Sequence, residues 1–411
     1  MRINAKRLQE HFEAMSLIGK IGETGTCRPT LSVEEKEAFK IAAGWMQEAG
    51  MTTRIDELGN LIGRLEGTDP SLPALMMGSH LDSQPYGGRF DGVAGVLSAI
   101  EVAVTLKEQG VVPKRSIEVI SFADEEGWRF NKGLFGSRGI LGKLEEGELE
   151  RTDKDGITRR KALTDFGCNP DNLASAVYAA NSIYCFLELH IEQGPVLDIQ
   201  QKPVGIVTGI SGPLWWTVKL KGMAGHAGSV PMPLRKDAMV GAAEIVVALN
   251  EIAKQNPDNP TVGTVGTMKV FPDSRNIIPE EVTFTIDLRD IDLDRRNRYE
   301  KQLRDKIDSI TQKHGLTYSI SEDTNSAPRY CAEWIKDIIR AECKANNLDA
   351  PELMSGPFHD ALALSYACDY AMIFVRCKDG ISHNPLEFSS YEDLAIGAEI
   401  MYGTALKILE L

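Results

Sequence analysis

Four short apolar runs constrain the fold of this chain more than any other feature of its sequence. They are Ala74–Met77, Ile117–Phe122, Tyr184–Leu189 and Ala371–Val375. Each run has the length of a buried strand, and helical patterns such as Gly92–Gln109 separate the first three. Strands that alternate with helices form βαβ units, in which the strands pair in parallel. The sequence therefore predicts an α/β domain with a mostly parallel sheet.

A second pattern interrupts this one between about residues 210 and 325. The predicted elements there are strand Leu214–Leu220, helix Leu234–Lys254, strands Thr264–Val270 and Glu281–Leu288, helix Leu293–His314 and strand Leu316–Ser321. This β-α-β-β-α-β order is the ferredoxin-like split βαβ. After Pro328 the pattern returns to helix and buried strand, and 411 residues exceed a usual single core. We therefore predict a discontinuous catalytic domain of residues 1–209 and 328–411, with an α+β domain of residues 210–327 inserted in it.

Composition excludes several classes of function. The net charge of -14 argues against nucleic acid as a partner, because phosphate binding needs a basic surface. No apolar run approaches the roughly 20 residues of a membrane span, and the charged N-terminus lacks the apolar centre of a signal peptide. The seven cysteines include no Cys-x-x-Cys pair, which favours reduced thiols in the cytoplasm over disulfides or a thiolate zinc site.

Every one of the four apolar runs leads into a polar cluster. The clusters are Gly78–Asp82 with Phe90–Gly92 soon after, Asp124–Gly127, Glu188–Gly194 and Gly380–Pro385. Open α/β sheets bind ligands beyond the carboxyl ends of their strands, so four such ends predict one shared site. His80, His190 and His383 lie beside carboxylates in these clusters, and imidazole with carboxylate is the usual ligand set for Zn²⁺ or a similar divalent ion.

The acidic pair Glu125-Glu126 supports the same interpretation. Two neighbouring carboxylates at a strand end are costly to bury, because like charges repel and lose hydration. Bound cations would offset that cost. A solvated acidic loop is the alternative for this pair taken alone, and a structural role is the alternative for any single histidine.

Six linked motifs resemble those of a known family. They are GSHLDSQPYGGRFDG, FADEEG, ELHIEQG, MAGHAGSVPMPLRKD, RNIIPEEVTFTIDLRD and DGISHNP. In this order, and over nearly the whole chain, they resemble the hydantoinase/carbamoylase branch of the dinuclear metallo-aminoacylase and carboxypeptidase superfamily. That branch includes N-carbamoyl-L-amino acid hydrolases, allantoate amidohydrolases and β-ureidopropionases. The resemblance implies a zinc-peptidase-like catalytic domain, an inserted lid and dimerisation domain, and a homodimer whose active sites are shared between subunits.

The resemblance also implies two divalent metal ions per subunit. Asp91 would bridge them, His80 and His190 would complete one site, and Glu126 with His383 would complete the other. Zn²⁺ or Mn²⁺ is expected, and Co²⁺ or Ni²⁺ would also fit such ligands. Histidine at position 190 favours the ureido-cleaving branch, since the peptidase and aminoacylase branches usually carry a carboxylate there.

Further roles follow from the same resemblance. Glu125 would be the general base that activates the attacking water and passes its proton to the leaving nitrogen. Asp82 would fix the tautomer of His80 by accepting its other N–H. His226 would stabilise the oxyanion, and in this family the residue commonly comes from the partner subunit. The alternative is that His226 is a loop residue in a Gly-rich turn without a catalytic role.

The substrate carboxylate would be bound by Asn276 and Arg289, because the planar guanidinium can hold a carboxylate bidentately. A surface ion pair is the alternative for Arg289 within Asp287–Asp290. Gln193 is expected at the substrate, and so are Gly356 and His359. Their segment departs from the family, with Pro357-Phe358 in place of small residues, which puts the pocket shape and the preferred substrate in question.

We therefore predict a hydrolase that cleaves the ureido C–N bond of a small carboxylate-bearing substrate, an N-carbamoyl-L-amino acid, to the amino acid, carbon dioxide and ammonia. Allantoate amidohydrolase is the first alternative and β-ureidopropionase the second, the latter because of Asp82–Pro85. The segments 204–209 and 372–376 favour the carbamoylase. An exopeptidase or N-acyl aminoacylase is a further alternative that His190 opposes, and a non-catalytic metal-binding relic is opposed by the completeness of the predicted site.

Overall fold

A computed structural model describes residues 1–411 and divides the chain into two compact units. The first unit contains Met1–Thr208 and Cys331–Leu411, and the second contains Gly209–Tyr330. The second unit is thus an insertion in the first. None of the helices combines the length and the apolar character that a membrane span requires.

The elements are numbered in chain order. The strands are β1 (Lys20–Ile21), β2 (Gly25–Thr26), β3 (Thr52–Ile55), β4 (Leu61–Leu65), β5 (Ala74–His80), β6 (Ile117–Phe122), β7 (Ile183–Ile191), β8 (Val204–Ile210), β9 (Gly212–Lys221), β10 (Gly225–His226), β11 (Val262–Thr264), β12 (Met268–Phe271), β13 (Ile277–Ile278), β14 (Glu281–Asp290), β15 (Thr317–Asn325), β16 (Arg329–Tyr330), β17 (Glu352–Ser355) and β18 (Asp369–Val375). The α-helices are α1 (Ala5–Met15), α2 (Val33–Glu48), α3 (Val93–Glu108), α4 (Phe135–Gly139), α5 (Arg159–Phe166), α6 (Val196–Ile199), α7 (Ala238–Lys254), α8 (Leu293–His314), α9 (Glu333–Ala345), α10 (Asp360–Leu364) and α11 (Tyr391–Leu409). Short 3-10 helices cover Glu148–Glu150, Leu173–Ala176, Met232–Leu234 and Lys378–Gly380.

The sheet of the first unit has the strand order β8-β18-β7-β5-β6-β4-β3, and β17 also pairs with β8. Its centre is parallel: β18 pairs with β7, β7 with β5, and β5 with β6. These are the four strands that the apolar runs predict. The flanking strands β3, β4 and β8 are antiparallel to their neighbours, so the complete sheet is mixed.

Burial explains why the four central strands are apolar throughout. Every residue of β5 and β6 is buried, as expected for parallel strands covered by helices on both faces. Helix α3 packs on β5 and against α11, and its residues from Val93 to Leu106 are all buried. Because the four strands are parallel, their carboxyl ends lie at one edge of the sheet, which is where the polar clusters follow.

The second unit contains an antiparallel sheet in the order β11-β14-β9-β15, with β12 also paired to β14. Strand β14 alternates half-buried and buried residues, and its buried side chains join a core with α7 and α8. The two helices and the strands β9, β14 and β15 follow the predicted order, but the predicted strand Thr264–Val270 is divided into β11 and β12, and the two-residue strands β10 and β13 are additional. Helix α7 begins at Ala238 rather than at Leu234, because the Asp237 side chain accepts hydrogen bonds from the N–H groups of Met239 and Val240.

Candidate metal centre

Two of the predicted histidines are held by central strands. His80 is the last residue of β5, and His190 lies near the end of β7. Both side chains are buried, with 1% of each residue exposed. Asp91 follows in the loop before α3, where Gly92 adopts a φ of 66°. A Cβ atom at Gly92 would overlap the His80 ring, so this approach of Asp91 to the histidines requires glycine.

The carboxylate of Asp91 lies between two groups of side chains. Its Oδ1 atom is 3.2 Å from Nε2 of His190 and 3.6 Å from Nε2 of His80. Its Oδ2 atom faces the other way and lies 3.1 Å from Nε2 of His383. One carboxylate oxygen thus faces each group, which is the arrangement that a bridging ligand needs.

Two trios of ligand atoms share this carboxylate. His80, Asp91 and His190 form one trio, and Asp91, Glu126 and His383 form the other, with the atoms of each trio within 4.8 Å of one another. In the second trio, Oε2 of Glu126 is 3.4 Å from Nε2 of His383. The structure therefore brings together all five predicted metal ligands, which we call the five-residue cluster.

The pKa values in the cluster show how closely its charges interact. Burial alone would raise the pKa of Asp91, but the imidazoles of His190 and His383 hold it well below its usual value. The contact with Asp91 raises the pKa of His383 to about 9. Burial raises the pKa of Glu126 to about 7, and the neighbouring Asp91 adds to that effect. Such perturbed groups collected at one end of a sheet are typical of functional sites.

The cluster fits divalent cations by its donor chemistry. It offers imidazole nitrogen and carboxylate oxygen, the ligand types of Zn²⁺ and Mn²⁺. Nε2 of His190 is buried and has no hydrogen-bond partner, although Asp91 is near. An unpartnered buried nitrogen is costly, and a cation between it and the carboxylate would remove that cost. The Nδ1 atom of His190, by contrast, lies 2.9 Å from the Ile191 carbonyl oxygen, which orients Nε2 towards the cluster.

The predicted base, Glu125, adjoins the first trio. Its Oε2 atom is 3.7 Å from Nε2 of His80, and its side chain is 10% exposed. Burial holds the pKa of Glu125 well above its usual value, despite the nearby His80, and the carboxylates of Asp360 and Glu126 act in the same direction. A carboxylate with a raised pKa accepts a proton more readily than an ordinary carboxylate, which suits a group that takes up a proton and passes it on.

Asp82 contacts His80, and its backbone is nearer to the ring than its carboxylate. The backbone carbonyl oxygen of Asp82 lies 3.0 Å from Nδ1 of His80, whereas its carboxylate Oδ1 is 3.5 Å away. The carboxylate instead accepts the backbone N–H groups of Glu125 and Glu126, each at 3.3 Å. These two N–H groups belong to the loop that follows β6, and they hold the Asp82 carboxylate away from the His80 ring. Asp82 therefore orients His80 through its backbone and holds the acidic pair through its side chain.

Gln193 contacts the cluster directly, and Gly356 has open space beside its Cα atom. Nε2 of Gln193 donates to Oδ2 of Asp91 at 2.9 Å, and the residue has a φ of 55°. The Oε1 atom of Gln193 is buried without a hydrogen-bond partner. Gly356 follows β17, and no atom lies within 4 Å of the position that a Cβ would take there. An open backbone at Gly356 leaves room for a ligand.

His359 lies behind His190 and not at an open surface, and its role as a substrate contact stays a prediction. It is 1% exposed, its ring is T-shaped against His190 with 4.4 Å between centroids, and its Nε2 is 2.7 Å from the Ser355 hydroxyl. The motif places it near the site but does not say which way it faces. Glu188, His190 and His359 form a third trio of ligand types, but Glu188 already accepts from Ser79 and from the Ala361 N–H.

The remaining predicted residues lie in the second unit. His226 and Asn276 are exposed, and they lie close together because β10 pairs with β13 and the Ala227 N–H donates to the Asn276 carbonyl. Arg289 is on the half-buried face of β14, where its Nε and Nη2 atoms donate to the Asp287 carboxylate at 2.9 and 2.8 Å. The ion pair anticipated as the alternative for Arg289 is thus present.

Comparison with known proteins identifies the family. Residues 76–407 match Peptidase family M20/M25/M40. The chain belongs to this family. The chain is 45% identical over 407 residues to an N-carbamoyl-L-amino-acid amidohydrolase of Pseudomonas sp. (strain NS671), with 98% of each chain covered. It is 36% identical to an allantoate deiminase of Arabidopsis thaliana, over 93% of this chain and 79% of that protein. A crystal structure of a hydantoinase/carbamoylase family amidase from Burkholderia multivorans superimposes with a TM-score of 0.91 at 33% identity, over 98% of each chain.

Membership of this family carries two general properties to the chain. Enzymes of the M20 family are hydrolases that act on amide or ureido bonds, and they depend on metal. The five-residue cluster offers a donor set for such an ion. The fold and the resemblance to the hydantoinase/carbamoylase branch are confirmed by the same comparisons.

Three residues near the cluster were not found from the sequence. The Gln84 backbone N–H and side-chain Nε2 both donate to Glu126, at 3.1 and 2.7 Å. Ser382 and Glu387 contact Asp91 from the loop that carries His383. Gln84 could have been suspected from its place in the Asp82–Pro85 motif. Glu387 gave no such signal, since 296 positions separate it from Asp91.

Proposed function

We propose that this M20 family hydrolase cleaves the ureido C–N bond of an N-carbamoyl-L-amino acid, giving the amino acid, carbon dioxide and ammonia. The observation that carries the proposal is the position of Asp91, whose two oxygens face separate trios with histidine and carboxylate ligands. The full-length similarity to an N-carbamoyl-L-amino-acid amidohydrolase supports this substrate class.

In this proposal the five-residue cluster holds two divalent cations, Zn²⁺ or Mn²⁺, with Co²⁺ and Ni²⁺ as alternatives. Asp91 would be shared, His80 and His190 would hold one ion, and Glu126 with His383 would hold the other. Two such ions, when bound, polarise a carbonyl group and lower the pKa of water. Asp82 would keep His80 and the acidic pair in place, since its carbonyl and carboxylate oxygens contact them.

Glu125 would move the proton. It lies beside His80 at the edge of the first trio, and burial keeps the pKa of its carboxyl group well above the usual value. Glu125 would take a proton from the attacking water, hold it on its carboxylate, and deliver it to the nitrogen that leaves. A general base of this kind typically contributes about 10²- to 10⁴-fold to the rate.

The substrate would be bound by Gln193 and Gly356 of the first unit and by His226, Asn276 and Arg289 of the second. We propose a homodimer in which His226 comes from the second subunit. The exposed positions of His226 and Asn276 support a role in contact with a ligand. Mixing His226→Ala chains with Arg289→Met chains tests the sharing: hybrid dimers would regain part of the activity, and no recovery would contradict it.

A cytoplasmic location fits the cysteines of the chain. All seven are free, and burial raises the pKa of several of their thiols, for example Cys343 to about 12. Buried thiols of this kind are inert and are typical of a reducing compartment.

Ammonia release from a substrate panel tests the function. The panel contains several N-carbamoyl-L-amino acids, N-carbamoyl-β-alanine, allantoate and an N-acetyl amino acid, and each is assayed before metal removal, after it, and after Zn²⁺ or Mn²⁺ is added back. We expect the highest kcat/KM for a carbamoyl-L-amino acid, with activity lost on removal and restored on addition. A preference for allantoate would favour that alternative, and full activity in metal-free protein would refute the metal centre.

A further inference from the structure

Glu387 is a buried carboxylate directly behind Asp91. It is 1% exposed. Its Oε1 atom accepts the backbone N–H of Phe90 at 2.9 Å and the backbone N–H of Asp91 at 3.0 Å. These two bonds fix the backbone from which the Asp91 side chain projects, so the direction of that side chain depends on Glu387.

The other carboxylate oxygen of Glu387 reaches the cluster through Ser382. The Ser382 hydroxyl lies 2.9 Å from Oε2 of Glu387 and 3.2 Å from Oδ2 of Asp91. A hydroxyl has one proton to donate, so Ser382 donates to one of the two carboxylates at a time. Ser382 also precedes His383 in the chain. The segment from Ser382 to Glu387 therefore connects the Asp91 backbone, the Asp91 carboxylate and His383.

The packing around Glu387 is tight enough to define its position. A Cβ atom at Gly88 would overlap the Glu387 carboxyl group, so the loop before Asp91 can approach this closely only with glycine there. The approach brings the loop that carries Asp91 against the loop that carries His383.

We propose that Glu387 is a positioning residue that holds Asp91 and His383 in the geometry of the second trio. It contacts neither substrate nor cation, and it acts through hydrogen bonds to the Asp91 backbone and to Ser382. The inference rests on the proposed function, because it needs cations bound by the five-residue cluster. Partners that orient metal ligands in this way typically change metal affinity by about 10- to 100-fold when removed.

Three substitutions separate the hydrogen bonds of Glu387 from its charge. Glu387→Ala removes the acceptor of both N–H groups. Glu387→Asp keeps the charge but withdraws the carboxylate by one methylene. Glu387→Gln loses the charge but keeps an oxygen for the N–H groups, while its NH₂ can donate to Ser382. If geometry is the function, the Ala and Asp variants bind the more weakly held Zn²⁺ about 10- to 100-fold less tightly, and the Gln variant stays close to wild type.

The measurement is a titration of metal-stripped protein with Zn²⁺ in competition with a chromophoric chelator, together with metal content per chain. Replacement by Co²⁺ adds a visible absorption spectrum that reports the ligand geometry. Glu399 provides a matched control, because this buried carboxylate accepts the backbone N–H groups of Arg2 and Ile3 at 2.6 and 3.1 Å. Glu399→Ala should lower the thermal stability without changing Zn²⁺ affinity.

Wild-type Zn²⁺ affinity in the Ala and Asp variants would overturn the inference. So would equal losses in the Gln and Ala variants, which would assign the effect to charge. If Glu387→Ala does not fold, the Zn²⁺ affinities of Glu387→Asp and Ser382→Ala test the inference instead. We expect a smaller loss of Zn²⁺ affinity for Ser382→Ala than for Glu387→Asp. If the wild-type protein itself binds no Zn²⁺, the metal centre of the proposed function falls, and this inference falls with it.

Discussion

Asp124 and Glu125 are neighbours in the chain, yet they belong to two regions in which different groups contact the buried carboxylates. Asp124 accepts a hydrogen bond at 2.6 Å from Arg159, which is fully buried and also contacts Glu148 at 3.0 Å. The Arg159 guanidinium lies 4.2 Å from the Phe135 ring centroid. We call Asp124, Arg138, Glu148 and Arg159 the Arg159 network. On the other side of the same backbone, Glu125 faces the five-residue cluster.

The two regions differ in the source of their positive charge. In the Arg159 network, Arg138 and Arg159 hold the pKa of Glu148 below its usual value against the effect of burial, whereas burial raises the pKa of Asp124 to about 7 even beside Arg159. In the five-residue cluster, Asp91 and Glu126 contact imidazoles, amides and the Ser382 hydroxyl, and the pKa of Glu126 rises to about 7 through burial and the nearby Asp91. A carboxylate with its own arginine is a structural group. In the five-residue cluster no arginine plays this part, and the proposed function assigns it to bound cations. The chain thus supplies guanidinium groups to the carboxylates of one region and imidazoles to those of the other.

The largest expected effect tests this difference at Glu125. Glu125→Gln removes the proton acceptor but no predicted metal ligand, so we expect kcat to fall by about 10²- to 10⁴-fold while metal content stays at the wild-type level. Asp124→Asn is the matched control, since it changes the neighbouring buried carboxylate. It should reduce thermal stability more than turnover. Steady-state kinetics and metal analysis of both variants check the prediction, and a near wild-type kcat for Glu125→Gln would remove Glu125 from the role of base.

The five-residue cluster could be predicted from the sequence because its residues lie at or after the ends of uniformly apolar strands. The runs that became β5, β6, β7 and β18 are buried over nearly their whole length, and the side chains after them therefore collect at one sheet edge. Strands β3 and β4 gave weaker signals, because β3 is four residues long and mostly exposed. Short antiparallel strands at the edge of a sheet lack the continuous apolar pattern of a central strand.

What could not be predicted depends on contacts between distant segments. Glu387 meets the backbone of Phe90 and Asp91 across nearly 300 residues of chain, and no local pattern records such a contact. His359 shows a second limit. Its motif indicated that it lies near the site, but its burial against His190 follows from the packing of the segment after β17, which one sequence does not reveal.

The next largest effect concerns the Arg159 network. Arg159→Met leaves Asp124 and Glu148 buried without one of their counter-charges, so we expect the free energy of unfolding to fall by about 3 kcal/mol. Denaturant unfolding of the metal-free protein measures it. Arg160→Met is the matched control, because the neighbouring Arg160 is 40% exposed and pairs with exposed carboxylates. Such surface pairs contribute roughly 0 to 1 kcal/mol. Equal losses for the two variants would contradict a structural role of the buried arginine.

The smallest expected effect concerns Arg289, which belongs to neither kind of region. Its side chain is 19% exposed, and it already donates to the Asp287 carboxylate. If Arg289 also binds the substrate carboxylate, Arg289→Met loses charged hydrogen bonds, and KM should rise by about tenfold, at the lower end of the 1.5–3 kcal/mol that such bonds contribute.

The loss should be confined to substrate binding, since Arg289 lies in the second unit and the five-residue cluster in the first. Zn²⁺ affinity and unfolding free energy are therefore expected to remain near wild type, in contrast to the Glu387 and Arg159 variants. Arg298→Met, on the exposed side of α8, controls for loss of one positive charge in the second unit. An unchanged KM together with a loss of stability would show that the pair with Asp287 is the whole role of Arg289. A raised KM for carbamoyl-L-amino acids, absent in Arg298→Met, would show instead that the half-buried Arg289 serves substrate recognition while the fully buried Arg159 serves the fold.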